Sequence, residues 1–553
     1  MIENTEFLSG LPAHPILRSV ALHVLEGYFE RYPSFATDLG LHQWDDKMPS
    51  FTMEARQLFV AILDAADKDM QRVDPSQLSP SDLADYHTLT NQIQLLRLDE
   101  LRDVWEEKDP NIVNSIISGA LLSLVRREFA PLEERGRHIL SRLKASIALL
   151  DQVQVILDNP PEIFVQMAIA QFEASIPLFT EVIPQVFSKV SVDLSMQVEN
   201  AAEALAKRYR EFITFLQEKL LPRSHGDYRL GAQRYQERLA LQEGVTTPLD
   251  TLLEQGYAEL HRLQALFRET VAAINPHLSP EEVLAGVRRQ HPLAQDLLNQ
   301  VANTLIELRT FCEERDLISI PQAPDPDVVE TPAYMRETTL ASIDPPGPFE
   351  TEALQSFYQV TLPDPGWTSE QKEQLLEGFN YWGLHIISAH EVYPGHYVQF
   401  LHLRSGGSTV RKVFASGAFV EGWAHYTEEM VVDEGLGSGD PAMRLIQVME
   451  ALERVGRFIA GIEMHTGRRT FAEAQELFEK ECYMAPVHAR REALRGTEDP
   501  FYLIYTLGKL EILQLRREAR KRWGSQFTLR RFHDALLSYG YPTFPILKTL
   551  LFS

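Results

Sequence analysis

The chain has 553 residues, 44% of them apolar, and a formal charge of −25 at pH 7, an ordinary soluble composition with enough apolar residues for a large core. The acidic balance argues against a nucleic-acid partner or an anionic membrane surface, since either wants clustered Lys and Arg. A solvated acidic exterior explains the charge, so the substrate need not be basic.

The start, Met1-Ile2-Glu3-Asn4-Thr5-Glu6, lacks the basic residues and apolar run of a signal peptide. Nowhere do about 18 to 20 apolar residues follow one another, the length a bilayer span needs. A cytosolic protein without membrane contact is the expectation. From about Pro15 to Glu314 the pattern is almost wholly helical, with apolar residues three and four apart in Leu17–Phe29, Leu83–Leu98, Ile139–Leu157, Ala201–Leu221 and Leu249–Phe267. Breaks are expected at Pro160-Pro161, at Pro222–Gly226 and at Asn275-Pro276. Ser79-Pro80-Ser81-Asp82 and Ser279-Pro280-Glu281-Glu282 read as helix starts, each with a hydroxyl cap, a proline at the first position and an acid three residues on.

Seven prolines between Pro321 and Pro348 interrupt this texture. Ser356–Leu362 has the aromatic and β-branched content of a strand, and Arg336–Leu340 is a second candidate. Helices resume at Thr368, where Gln371 completes a capping box. They run through Gln371–Arg404, Val410–Asp433, Pro441–Thr466, Phe471–Glu481 and Phe501–Trp523, before a Tyr541–Pro545 tail. The expected fold is mainly α, with a small β element near the site. Its regions are 1–320 (helical), 321–365 (Pro-rich connection) and 366–553 (helical), read together as one unit. Cys312 and Cys482 are the only cysteines, too few for a disulfide framework or a thiolate zinc site.

One stretch carries chemistry: His390-Glu391-Val392-Tyr393-Pro394-Gly395-His396. Two imidazoles can hold a metal, and a carboxylate beside the first can take a proton from the water the metal acidifies. Zinc-peptidase helices usually carry the two His four apart. Here they are six apart, which on a regular helix turns His396 about 240° away from His390. Pro394 must bulge or break the helix and Gly395 tolerates the dihedrals that follow, so a bulge taking up two residues would return His396 to the side of His390. Glu421 opens the next polar helix, and His425 lies four further along on the same face; either can complete the set. Glu428, one turn on, suits a role in orienting ligands, while Glu429 suits a solvated face.

His-Glu-x-x-Pro-Gly-His followed by Glu421-Gly422-Trp423-Ala424-x-Tyr426-x-Glu428 resembles the bacterial family known as domain of unknown function 885. That family is similar to the helical gluzincin metallopeptidases, among them angiotensin-converting enzyme, thimet oligopeptidase and carboxypeptidase Taq. The resemblance extends to Ala36–Gly40, Pro346–Glu350 and Tyr505–Lys509. It implies one Zn2+ per chain bound by His390, His396 and Glu421, with Glu391 as general base and then acid. It also implies two helical halves around a cleft that admits short peptides. Tyr505 falls where relatives carry a tyrosine able to donate to an oxyanion, although Tyr502 and Tyr505 also suit an apolar helix core. The implied activity is zinc-dependent hydrolysis of short peptides. Alternatives are a zinc-dependent amide or ester hydrolase of a small molecule and a non-catalytic helical metal-binding protein. A di-iron oxidase is disfavoured by the absence of Glu-x-x-His pairs around the site. His488, Arg490, Arg491 and Arg516 are the candidate anchors for a substrate carboxylate.

Overall fold

The computed structural model describes residues 2–332, 336 and 339–552. It is mainly helical, with one three-stranded sheet among the described residues. The helix starts at Ser79 and Ser279 form as expected: each serine hydroxyl accepts from the backbone N–H three residues on, and Glu282 completes the box at Ser279. The chain divides into two compact units.

The first unit holds Met1–Tyr228, Pro346–Leu354 and Ser408–Val413. Long helices, among them Pro15–Arg31, Pro80–Leu101, Leu132–Ile156 and Val192–Phe215, bury apolar faces that include Leu17, Phe29, Leu89, Leu143 and Phe212. The stretch Glu162–Phe187 is long and apolar enough, by length and composition, to cross a bilayer; a third of its most apolar window (33%) is buried. Two of the quieter motifs meet in this unit. The Phe349 amide donates to the Leu39 carbonyl at 3.0 Å, and a Cβ on Gly347 would sit 2.3 Å from the Leu39 carbonyl carbon. His42 stacks on Phe129 at 3.9 Å between ring centroids. Its Nδ1 lies 2.9 Å from Asp45 and its Nε2 3.0 Å from Glu350. Both carboxylates are buried, and their pull outweighs the lowering effect of burial, raising the imidazole to about 9.

The second unit holds Arg229–Pro345, Gln355–Gly407 and Phe414–Ser553. Its sheet has the order β1 (Asp327–Glu330), β3 (Phe357–Val360), β2 (Ala341–Asp344), with β1 parallel and β2 antiparallel to the central strand. The strand expected in Ser356–Leu362 is therefore present as β3. The strand expected over Arg336–Leu340 lies partly outside the described residues, and Arg336 and Leu340 are not in a strand.

Three expectations for the later part of the chain need correction. Gln371–Arg404 is not one kinked helix but three: Ser369–Gly378, Tyr381–Glu391 and His396–Ser405. Asn380 causes the first break, because its side chain accepts from the Gly383 N–H at 2.9 Å and caps a new helix. Val410–Asp433 is likewise two helices, Thr409–Val413 and Gly417–Asp433. Here the buried Glu243 carboxylate accepts from the Ser416 hydroxyl and the Gly417 and Ala418 amides, at 2.5, 3.1 and 3.2 Å, satisfying donors that a helix start leaves over. Glu421 therefore stands in the second turn rather than opening the helix. Lastly, the chain does not close on a tail: Leu529–Leu537 and Phe544–Phe552 are helical, and Pro545 falls in the first turn, where no N–H is required.

Candidate functional site

Four residues, Val392–Gly395, separate the helix that ends at Glu391 from the one that begins at His396. The six-residue spacing is thus resolved by a break and a fresh start, not by a bulge within one helix. Gly395 is required there, because a Cβ would sit 1.8 Å from the His390 carbonyl oxygen. Its neighbours fix the break from both sides. The Trp423 indole donates to the Pro394 and Gly395 carbonyls at 3.0 and 3.3 Å. The Tyr393 hydroxyl donates to Asp325 and the Tyr397 hydroxyl to the Pro324 carbonyl. The outcome is two imidazoles facing each other edge to face, with centroids 4.8 Å apart.

Glu421 joins them from the Gly417–Asp433 helix. Its Oε2 lies 3.7 Å from His390 Nε2 and 3.5 Å from His396 Nε2. One ligand atom from each of His390, His396 and Glu421 falls within 4.8 Å of the others. Two glycines set the depth of this helix. It packs on Ile504–Trp523 so closely that a Cβ on Gly508 would lie 1.8 Å from the Ala418 carbonyl oxygen, and one on Gly422 2.4 Å from Gly508 Cα. Large side chains at either position would lift Glu421 away from the histidines.

Behind the cluster sits Glu428, fully buried. One of its oxygens lies 2.7 Å from His390 Nδ1 and 3.2 Å from the Arg454 guanidinium, and the other 3.1 Å from His425 Nδ1. Glu428 can therefore hold the His390 proton on Nδ1 and leave Nε2 as a ligand. His425, the other candidate third ligand, is turned toward Glu428 and stands outside the cluster. Glu429, expected on a solvated face, instead pairs with Lys509 at 2.6 Å and Arg262 at 3.1 Å.

The donor set suits a divalent ion of zinc type: two imidazole nitrogens and a carboxylate oxygen, converging and largely buried. Burial, His396 and Arg454 hold His390 well below the ordinary imidazole range, neutral as a ligand must be. At His396 burial is outweighed by Glu421, which raises the ring to about 9, and a bound metal would displace that proton. Burial raises Glu421, but the His396 ring beside it prevails and brings the carboxyl to about 2. Glu391 reaches β2, where the Ile343 N–H donates to its Oε2 at 2.9 Å. Burial pushes this carboxyl up to about 7, against the opposing pull of His396 and the Ile343 amide.

Tyr505 stands among three guanidiniums, Arg457, Arg495 and Arg454, at 5.2, 5.8 and 6.0 Å from its ring centroid. Burial raises its phenol first and Glu421 second, and Tyr505 stands three residues before Gly508, on the stretch of helix that packs against Gly422 beside Glu421. The four basic residues singled out in the sequence fare differently. Arg516 is spent on the Tyr426 hydroxyl at 3.1 Å and Glu434 at 3.3 Å. His488, Arg490 and Arg491 are exposed. Sequence inspection passed over Arg454 and Arg457, although guanidiniums three apart on a helix as apolar as Pro441–His465 signal buried partners.

In three dimensions the chain is similar to a "putative lipoprotein of unknown function" from Shewanella oneidensis, with a TM-score of 0.82 and 23% identity over 98% of this chain and 100% of that one. It is also similar to a "putative lipoprotein" from Colwellia psychrerythraea, with a TM-score of 0.81 and 19% identity over 97% and 98% of the two chains. At such identities the likeness establishes a shared fold. No curated protein sequence matches the chain. The sequence pattern of one family, described as bacterial protein of unknown function, extends over residues 33–551. The chain belongs to this family, DUF885.

Proposed function

We propose that the chain is a zinc-dependent peptidase acting on short peptides, a helical relative of the gluzincins. The observation that carries this reading is the convergence of His390, His396 and Glu421 within 4.8 Å, with the Glu391 carboxylate beside the first ligand. Zinc, when held by these three side chains, supplies Lewis acidity that acidifies water and polarises a carbonyl. The remaining work falls to the chain's own groups. Glu391 takes the proton of the attacking water and returns it to the leaving amine, a task suited to a half-buried carboxylate raised toward neutrality. Tyr505 donates its hydroxyl hydrogen to the developing oxyanion. Glu428 keeps His390 in one tautomer. The outer edge of β2, whose Ile343 amide meets Glu391, offers main-chain groups beside the reacting bond, and an extended peptide can pair with such an edge. A cleft between two helical halves, as in the gluzincins, would confine substrates to short chains.

The test is a mixed peptide library incubated with the zinc-loaded protein and read by mass spectrometry, with Glu391→Gln as control. New product ends that vanish in the control support the peptidase. A site that binds zinc but cuts no peptide would shift the assignment to an amide or ester of a small molecule. We propose the cytosol as the setting. Cell fractionation checks this, and recovery in the envelope would extend to this chain the word lipoprotein carried by both solved neighbours.

A further inference from the structure

The three arginines around Tyr505 differ in what already holds them. Arg454 lies 3.2 Å from the buried Glu428 and 2.7 Å from Glu450, and only 11% of its side chain is exposed. Arg457 is paired with Glu453 and, at 2.7 Å, with Glu492, and is 9% exposed. Both charges are committed to buried carboxylates, and displacing either partner would leave an uncompensated charge in the interior. Arg495 is the exception. Its side chain is 39% exposed, and its acidic partner Asp499, at 3.4 Å, is itself 40% exposed, an arrangement worth little in water. The further contacts of Arg495 are neutral: its guanidinium lies over the Tyr502 ring at 6.0 Å from the centroid, and Nη2 donates to the Tyr505 hydroxyl at 3.2 Å. Tyr505 precedes by three residues Gly508, which packs against Gly422 next to Glu421, so one phenol joins a partly exposed guanidinium to the stretch of helix that carries Glu421.

We infer that Arg495 receives the terminal carboxylate of the substrate, so that the site cuts peptides close to a free C-terminus. This deepens the peptidase reading and rests on it. A guanidinium offers a carboxylate two parallel N–H donors, and exchanging a loose, solvated Asp499 for a substrate carboxylate costs little. With the hydroxyl oxygen accepting from Arg495, the Tyr505 hydrogen is left to point elsewhere, toward the scissile carbonyl of a substrate anchored at its end. The bond chemistry is unchanged: the oxygen of water joins the carbonyl carbon, the C–N bond breaks, and the amine departs with the proton carried by Glu391. Arg495 is a specificity-determining residue and touches no reacting atom. Of the other arginines considered, Arg516 is held by Tyr426 and Glu434 and Arg490 lies against Phe471.

Pairs of peptides identical except for a C-terminal acid or amide test this with the zinc-loaded full chain. The acid should be cut with kcat/KM about 10- to 100-fold higher, the worth of a hydrogen bond to a charged group, with most of the difference in KM. Arg495→Met should bring the ratio to near one, and Arg495→Lys should keep part of it. As a second readout, Glu391→Gln should bind the acid more tightly than the amide. Equal cleavage of acid and amide by the unaltered protein would overturn the assignment without touching the peptidase reading, and so would a full preference surviving in Arg495→Met. Should Arg495→Met fail to fold, the acid and amide pair on the unaltered chain and the Lys variant still decide. Cleavage of neither peptide would overturn both.

Discussion

Two histidine–carboxylate clusters in this molecule use the same residue types to opposite ends. In the first unit a single imidazole, His42, is held at both nitrogens by Asp45 and Glu350 and pressed flat on Phe129. Every polar atom of the ring is satisfied, so the cluster is a brace that fastens Pro346–Leu354 to the loop after Asp38. In the second unit two imidazoles and Glu421 converge, the carboxylate oxygen 3.7 and 3.5 Å from the two Nε2 atoms, long for hydrogen bonds. We read that spacing as room for a shared partner, the proposed metal. Saturation is the mark of the structural histidine and convergence is what the proposed ligands share, a distinction the residue types alone do not carry.

The largest effect should come from the converging cluster. Glu391→Gln should lower peptide turnover about 1,000-fold, within the range for a lost general base, while metal content measured by plasma spectrometry stays at the native level. Next comes the saturated cluster. His42→Ala leaves two buried carboxylates without their cation, and the free energy of local opening should fall by about 3 kcal/mol. Hydrogen exchange would report this as lost protection in residues 36–45 and 346–353, with the metal site unaffected; protection unchanged there would remove the brace from the account.

The same brace has a pH signature. His42 is raised in the folded chain to about 9, so its contribution is complete below about 6.5, the unfolded imidazole value. It is lost as pH rises through about 9. Glu350 is lowered to about 2, so its share is present above the unfolded carboxyl value and fades as pH falls toward 2. Protection of residues 346–353 should therefore decline between pH 6.5 and 9, and a flat profile would contradict the assignment. The smallest effect expected is on metal affinity. Glu428→Gln removes the charge that orients His390 and should weaken zinc binding about 10- to 100-fold, read by competition with a chelator; unaltered affinity would demote Glu428 to packing.

Much of this was legible in the sequence wherever the cause is local. The caps at Ser79, Ser279 and Thr368 lie within four residues of what they cap, and the strand at Phe357–Val360 was marked by its own composition. So was the interruption that Pro394 and Gly395 impose. What escaped depends on partners far along the chain. Glu243 starts the helix that carries Glu421 from more than 170 residues away, and no window around Val410–Asp433 contains it. The pairing of Ala36–Gly40 with Pro346–Glu350 could be seen in advance only as two motifs without a task. Arg454 is readable as a partner of Glu428 only once two helices have been brought side by side.

We propose that His390, His396 and Glu421, the two histidines separated by a broken helix, form one metal site. Metal analysis of the purified chain, stripped and then resupplied with zinc, tests it most directly. One zinc per chain is expected, lost on His390→Ala, His396→Ala or Glu421→Ala in proteins that keep their helical content. A chain that takes up no zinc, or that keeps its zinc when His396 is removed, would contradict it.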